Sequence, residues 1–203
     1  MHSDSYDYSY ADDDGYLYSG TDVLVNNFGI KDRAELSRIE RAITGARAAE
    51  LDANPVPGGF DLAHLCAIHE ALFGSVYPWA GKIRSRGFIS KGASLFCAPG
   101  FIEPYAADLF SRLKAERFLA GLPREEFIRR ISFYIAEINA LHPFREGNGR
   151  TQRVFANQLA RRAGWELNFQ EVDPVELCDA YIRSMHVSAD ALESILDRTV
   201  TPA

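Results

Sequence analysis

The chain has 203 residues, 22 basic and 28 acidic side chains, a formal net charge of −6 and 47% hydrophobic residues. This length and composition indicate one globular domain whose core is large enough to be stable without disulfides. Five aspartates and no basic residue lie among the first 18 residues, so the rest of the chain is nearly neutral. That balance argues against a general nucleic-acid binder, whose affinity depends on a basic face.

The cysteines and the hydropathy pattern bear on cellular location. Cys66, Cys97 and Cys178 are odd in number and lack the paired spacing of a structural zinc site, so we expect free thiols in a reducing cytosol. No apolar run approaches the roughly 18 residues of a membrane-spanning helix. The N-terminus is acidic and tyrosine-rich, unlike a signal peptide. We therefore expect no membrane span and no general secretory export.

The N-terminal stretch differs from the rest of the chain. Residues 1–20 interleave aspartate, serine and tyrosine without helical or strand periodicity. The pattern predicts a solvated, mobile tail before a domain that spans residues 21–203. Two alternatives stay open: a tyrosine-bearing docking or modification segment, and packing of Tyr16, Leu17 and Tyr18 on the domain.

Most of the remaining sequence has helical periodicity. Predicted helices begin near Asp32 and Asp61, whose side chains can act as N-caps. Further helices are predicted at about 103–120, 124–141, 150–163, 174–185 and 189–199. The pattern predicts a mainly α domain, a helical bundle without internal repeats.

Residues 80–100 are the exception to this helical pattern. Two short, partly alternating stretches flank the sequence Ser-Lys-Gly-Ala at 90–93, which predicts a single β-hairpin. An isolated hairpin is marginally stable, so we expect it to pack against the helices. An open edge strand there could accept an extended peptide from a partner; the alternative is a purely structural flap.

A loop between two predicted helices, His142–Arg153, reads HPFREGNGRTQR and carries most of the chemical information. Gly147, Asn148 and Gly149 stand at the junction of this loop with the next helix, where flexible backbone can gather several N–H groups. Asn148 is also a favoured helix cap. Together these features predict an anion site, with phosphate as the expected ligand.

Two arginines strengthen the prediction of a phosphate site. Arg150 and Arg153 fall in the first turn of the helix, where cations oppose the positive end of the helix dipole unless an anion is bound there. A spacing of three residues places them on one face, from which two guanidinium groups can bind several phosphate oxygens. A polyphosphate therefore fits better than a single phosphate.

Three other residues of the loop have predicted roles. Glu146 faces the expected phosphates, and a carboxylate there is repulsive unless Mg²⁺ bridges the two. His142 follows the preceding helix, where a neutral imidazole could take a proton from a hydroxyl. Phe144 is expected to point inward. Each feature alone is typical of an ordinary turn, cap or solvated pair, but the combination indicates function.

The twelve-residue sequence HPFREGNGRTQR matches every fixed position of the Fic signature, HxFx(D/E)GNGRxxR. YLYSGTDVLVNNFGI, VYPWAGKIR and the ISKG turn are also similar to small bacterial Fic proteins and to the Fic domains of Bartonella-type effectors. The resemblance covers about residues 16–196. It implies the Fic fold, in which a short β-hairpin flap lies beside the active site of a helical bundle, and transfer of AMP from ATP to a protein hydroxyl with release of pyrophosphate.

The resemblance also implies roles for individual residues. His142 would deprotonate the target hydroxyl, Glu146 would hold Mg²⁺ and Phe144 would be structural. The residues that would bind the nucleotide are Gly147, Asn148, Gly149, Arg150 and Arg153, with Lys91 and Gly92 of the flap near the adenine. The flap would hold a segment of the target protein in extended form.

Partners and regulation follow from the same resemblance. Targets of such proteins include bacterial topoisomerase subunits and host small GTPases, so the expected location is the bacterial cytoplasm or, alternatively, a host cell reached by secretion. The inhibitory motif (S/T)xxxE(G/N) of many Fic proteins does not occur in this chain. That resembles the class inhibited by a separate small antitoxin.

The sequence also allows alternatives to AMP transfer and contains one other candidate site. A Fic-fold phosphotransferase, another nucleotidyl transferase and a silent nucleotide-binding module remain alternatives. His64, Cys66 and His69 lie near one another, but the two histidines are five residues apart and fall on different helix faces. We therefore expect these three residues to pack in a helix and not to bind a metal ion.

Overall fold

Seven α-helices form the body of the protein within the described residues, 8–10, 15–91 and 94–203, of the computed structural model. Their bounds are α1 Arg33–Ala53, α2 Leu62–Phe73, α3 Ile102–Ala115, α4 Arg124–Leu141, α5 Asn148–Ala163, α6 Pro174–His186 and α7 Asp190–Thr199. The expectation of a mainly α domain is confirmed.

Helix α4 lies at the centre of the bundle and contacts α3, α5, α6 and α7. Its side chains Phe127, Ile131 and Tyr134 are fully buried, as is Leu141 at its end. Burial of each such side chain contributes about 1.5–3 kcal/mol to the free energy of unfolding. The position of the loop that follows α4 is therefore determined by a helix that is buried among four others.

Two predicted helix starts agree with the structure, whereas the predicted end of the third helix differs from it. Asp32 and Asp61 cap α1 and α2 by accepting hydrogen bonds from backbone N–H groups. The third helix ends at Ala115, and a 3₁₀ turn, Arg117–Leu119, follows it. The predicted single helix over 103–120 was wrong there because three successive residues of this turn have positive φ.

Two small antiparallel sheets accompany the helices in the described part of the chain. The predicted hairpin is present as β2 Ile89–Lys91 and β3 Ser94–Leu95, but a third strand, β1 Tyr8–Tyr10, pairs with β2. Strands β4 Trp165–Leu167 and β5 Val200–Pro202 form the second sheet. The expectation of a single hairpin was therefore incomplete.

The segment before α1 packs on the helices from residue 15 onward. The ring of Tyr16 meets that of Trp79 edge-on at 5.5 Å, and Leu17 forms a β-bridge with Leu24. The predicted tail lies partly outside the described residues, at 1–7 and 11–14. No helix in the part of the chain that the structure describes is long and apolar enough to cross a membrane.

Candidate active site

His142 ends α4 in the left-handed conformation, with φ 43° and ψ 60°. Its ring is buried and stacks on that of Phe96, with centroids 3.7 Å apart. Nδ1 lies 3.3 Å from the carbonyl oxygen of Asn139. Because a carbonyl oxygen only accepts, Nδ1 carries the hydrogen and Nε2 carries the lone pair. The tautomer is the one that a general base requires.

Arg84 connects His142 to the flap and was not singled out from the sequence, although it ends the quoted stretch VYPWAGKIR. Its guanidinium is buried and donates to three carbonyl oxygens, those of His142, Gly87 and Cys97. The backbone N–H of Cys97 donates to Ala140 at the end of α4. These hydrogen bonds connect both ends of the hairpin with His142, the predicted base, and with the end of α4.

The loop after His142 is closed by hydrogen bonds between two of its own residues. The side-chain amide of Asn148 accepts from the N–H of Phe144 at 2.9 Å and donates to its carbonyl at 2.8 Å. Asn148 is the first residue of α5 and not its cap, so the predicted start at Arg150 was two residues late. Gly147 takes the cap position.

Gly147 has φ 81°, a conformation that favours glycine. A Cβ at this position would lie 2.4 Å from Cζ of Phe73, whereas one at Gly149 would meet only the Arg153 guanidinium at 3.6 Å. The backbone can therefore make this turn against α2 only if residue 147 has no side chain. This turn places the N-terminus of α5, whose first N–H groups have no partner within the helix, directly after the loop.

His69 supports the loop from α2, a role that its sequence context did not indicate. Its Nδ1 accepts from the N–H of Gly81 at 2.8 Å, so Nε2 carries the hydrogen that reaches the carbonyl oxygen of Glu146 at 3.0 Å. Its ring stacks on Phe144 at 3.9 Å. Burial lowers the pKa of His69 from 6.5 to about 4. The ring is neutral at pH 7, as both bonds require.

Acid is therefore expected to weaken the fold through His69. Between pH 6.5 and 4 the unfolded chain binds a proton that the folded chain does not, so the stabilisation present above pH 6.5 is lost as the pH falls. The loss approaches about 3 kcal/mol of unfolding free energy. Urea unfolding of the wild type and of His69→Gln at several pH values measures it. The stability difference between the two proteins should shrink toward pH 4; a difference that stays constant would contradict this assignment.

Arg150 is held by acidic residues on both sides. Its guanidinium lies 2.6 Å from Oε1 of Glu40 on α1 and 3.4 Å from Oε1 of Glu146. It also donates to the hydroxyl of Thr44 at 3.0 Å, and the buried Tyr77 hydroxyl donates to Glu40. Glu40 was not predicted from the sequence because it is separated from Arg150 by more than 100 residues and no local pattern distinguishes it.

Arg153 lies in the second turn of α5, and its Nη1 lies 3.6 Å from the position that a Cβ of Gly149 would take. On α6, burial of the Tyr181 hydroxyl raises the pKa of the phenol, and the charge of the nearby Arg153 guanidinium opposes that rise. The structure therefore directs the two arginines toward different helices, Arg150 toward α1 and Arg153 toward α6. The binding of one polyphosphate by both guanidinium groups stays a prediction.

The flap residues expected near the adenine are only partly described. Lys91 is the last residue of β2, and its side chain and Gly92 lie outside the described residues. Glu146 is one third exposed, and its Oε1 accepts from the N–H of Gly147 at 3.0 Å. The site thus combines a buried imidazole, a helix N-terminus, a partly exposed carboxylate and an arginine within one loop and its two helices.

Comparison with known proteins identifies relatives of this chain. The profile of the Fic/DOC family matches residues 59–160. The chain is 45% identical to "Probable protein adenylyltransferase y4lH" of Sinorhizobium fredii over 175 residues, which cover 86% of this chain and 89% of that protein. It is 43% identical to "Protein adenylyltransferase VbhT" of Bartonella schoenbuchensis over 93% of this chain. The matched region spans only 39% of the length of VbhT.

A solved structure has the same fold. The BepC protein of Bartonella tribocorum, a VirB-translocated effector crystallised with bound AMPPNP, superposes with a TM-score of 0.87. The superposition covers 94% of this chain and 98% of that one, at 27% sequence identity. At least one protein with this helical bundle and flap therefore binds an ATP analogue.

Proposed function

Because the chain belongs to the Fic/DOC family, we propose that it is a protein adenylyltransferase that transfers AMP from ATP to a hydroxyl group of a target protein. The observation that carries the proposal is the position of His142, with its lone pair on Nε2, one short loop before the N-terminus of α5. The names of VbhT and y4lH and the AMPPNP bound to BepC support the same donor.

The reaction needs a base and a site for the phosphates. The target hydroxyl oxygen attacks the α-phosphorus of ATP, and His142 takes its proton. The bond from the α-phosphorus to the bridging oxygen breaks, and pyrophosphate leaves. The first-turn N–H groups of α5, at Asn148 and Gly149, would stabilise the negative charge. The N–H of Gly147, which donates to Oε1 of Glu146 in this structure, would join them once that bond is released.

Glu146 fits the role of the magnesium ligand. It is the carboxylate that flanks the helix N-terminus, it is partly exposed, and its two hydrogen-bonded contacts both use Oε1. Mg²⁺ commonly takes one or two carboxylates together with phosphate oxygens and water. When bound, the ion would neutralise phosphate charge, and Glu146 would hold it.

The two arginines take different roles in this proposal. Arg150 is already paired with Glu40 and lies close to Glu146, so it positions the metal-binding carboxylate and stabilises the start of α5. Arg153 would bind the distal phosphates. A carboxylate from a small antitoxin that paired with Arg153 would exclude those phosphates, so inhibition in trans is part of the proposal.

The flap would hold the target segment in extended form, with Lys91 and Gly92 near the adenine. A bacterial topoisomerase subunit and a host small GTPase are the two classes of target that the family resemblance suggests. The first belongs with a role in the bacterial cytoplasm, the second with secretion into a host cell.

Labelled ATP tests the activity. Purified protein in bacterial and eukaryotic lysates with Mg²⁺ and ATP labelled at the α- or the γ-phosphate should transfer only the α-label, and mass spectrometry of the labelled band should identify the target. His142→Ala is the matched control and should transfer the label about 100- to 10,000-fold more slowly. Label from γ alone would identify a phosphotransferase of the same fold instead. No label from either position would leave a silent module or another nucleotide donor.

A further inference from the structure

Arg84 is a buried cation that the proposed reaction does not use. Its side chain is 1% exposed and is the largest of the fully buried side chains in the described part of the chain. None of the ion pairs between described residues includes it. A buried guanidinium without a carboxylate is costly unless its N–H groups are hydrogen-bonded. Its hydrogen bonds therefore indicate what it does.

Those hydrogen bonds join the hairpin to the end of α4. Nε of Arg84 donates to the carbonyl oxygen of His142 at 2.8 Å, Nη1 donates to that of Gly87 at 3.2 Å, and Nη2 donates to that of Cys97. Gly87 precedes β2 and Cys97 follows β3. A guanidinium is a rigid, planar group of donors, so a single side chain sets the spacing between the hairpin and the predicted base.

Two backbone hydrogen bonds at the same place do not depend on this side chain. The N–H of Arg84 donates to the carbonyl oxygen of Pro143 at 2.8 Å, and the N–H of Cys97 donates to that of Ala140 at 3.0 Å. A substitution of residue 84 by any residue except proline keeps both bonds. The hairpin would thus stay attached to the bundle while the three guanidinium bonds are lost.

Phe96 brings the hairpin into direct contact with the base. Its ring stacks on that of His142, with centroids 3.7 Å apart and planes inclined by 22°. Its N–H donates to the carbonyl oxygen of Ile89 at 3.1 Å, so the ring belongs to the hairpin. A general base must lie about 2.6–3.2 Å from the hydroxyl that it deprotonates. A displacement of about 1 Å can lower a rate about 100-fold, so this contact must be held closely.

We propose that Arg84 is a positioning residue whose guanidinium holds the hairpin, and with it the acceptor segment of the target, in register with the imidazole of His142. This inference rests on the proposed function. Arg84 acts through carbonyl oxygens of its own chain, at residues 87, 97 and 142. It should therefore set the rate of transfer and leave ATP binding at the N-terminus of α5 nearly unchanged.

Labelling of lysate proteins with α-labelled ATP and Mg²⁺ tests the effect on rate. Arg84→Lys keeps the positive charge, but a compact ammonium cannot replace the planar fork that bonds three carbonyl oxygens. Arg84→Gln removes the charge as well. At saturating ATP, both variants should label the target about tenfold or more slowly than the wild type. Arg86→Lys, at an exposed arginine two residues further on, is the matched control and should label at the wild-type rate.

Two further measurements distinguish positioning from a general loosening of the fold. The dissociation constant of AMPPNP, measured by calorimetry, should stay within about twofold of the wild type in Arg84→Lys. In proton NMR spectra, ring currents shift the signals of His142, stacked on Phe96, and of His69, stacked on Phe144. The His142 signals, assigned with His142→Asn, should move toward their unfolded positions in Arg84→Lys, and those of His69 should not.

The outcomes separate this inference from the proposed function. Target labelling at the wild-type rate by Arg84→Lys would overturn the role of Arg84 and leave the adenylyltransferase standing. Loss of AMPPNP binding in step with the rate, or equal movement of the His142 and His69 signals, would also overturn it, because Arg84 would then only stabilise the fold. Absence of His142-dependent label on any protein with the wild type would overturn both.

Discussion

Replacement of His142 by alanine is expected to lower the rate of AMP transfer by about 100- to 10,000-fold, the usual contribution of a general base. ATP binding should be nearly unchanged because the phosphates bind at the N-terminus of α5, whose N–H groups the substitution leaves in place. Transfer to a target measured with α-labelled ATP, and ATP affinity measured by isothermal titration calorimetry, give the two quantities.

The backbone at His142 calls for a second variant. Its φ of 43° is unfavourable for alanine, whereas asparagine tolerates the left-handed conformation. His142→Asn should therefore lose activity as alanine does while its melting temperature stays closer to that of the wild type. Loss of ATP binding in parallel with activity in both variants would contradict the role of His142 as a base. Full activity of either variant would also contradict that role.

Gly147→Ala is expected to destabilise the protein by about 2–4 kcal/mol, from backbone strain at φ 81° together with overpacking. The added Cβ would lie 2.4 Å from the ring of Phe73, which is fully buried and cannot easily move. A shift of the loop to relieve this contact would also displace Glu146 and the start of α5. Activity should therefore fall together with stability.

Gly149→Ala is the matched control for this prediction. Gly149 lies two residues further on, inside α5, where φ is helical and a Cβ meets only a flexible arginine at 3.6 Å. Alanine there should be neutral or stabilise the helix by up to about 1 kcal/mol. Urea unfolding of the three proteins measures both effects. Equal stability of Gly147→Ala and the wild type would show that this loop is not constrained by Phe73.

Much of the fold could be predicted because its determinants are local. The apolar spacing of α4 and the aspartate caps of α1 and α2 lie within windows of a few residues, and the structure has these elements where they were predicted. The 3₁₀ turn after α3 was not predicted because its three residues with positive φ are Arg117, Phe118 and Leu119. None of these residue types usually adopts the left-handed conformation. Strand β1 was missed because its partner lies about 80 residues away.

The sequence by itself determined the family, the helical class and the loop from His142 to Arg153, since these follow from residue types at short, fixed spacings. Only the tertiary structure decided how that loop is held: Arg84 binds the carbonyl of His142, His69 that of Glu146, and Glu40 pairs with Arg150. Each of these contacts joins residues more than 50 positions apart. The chain must fold before such groups meet, so no local pattern encodes them, and burial then gives each contact its strength.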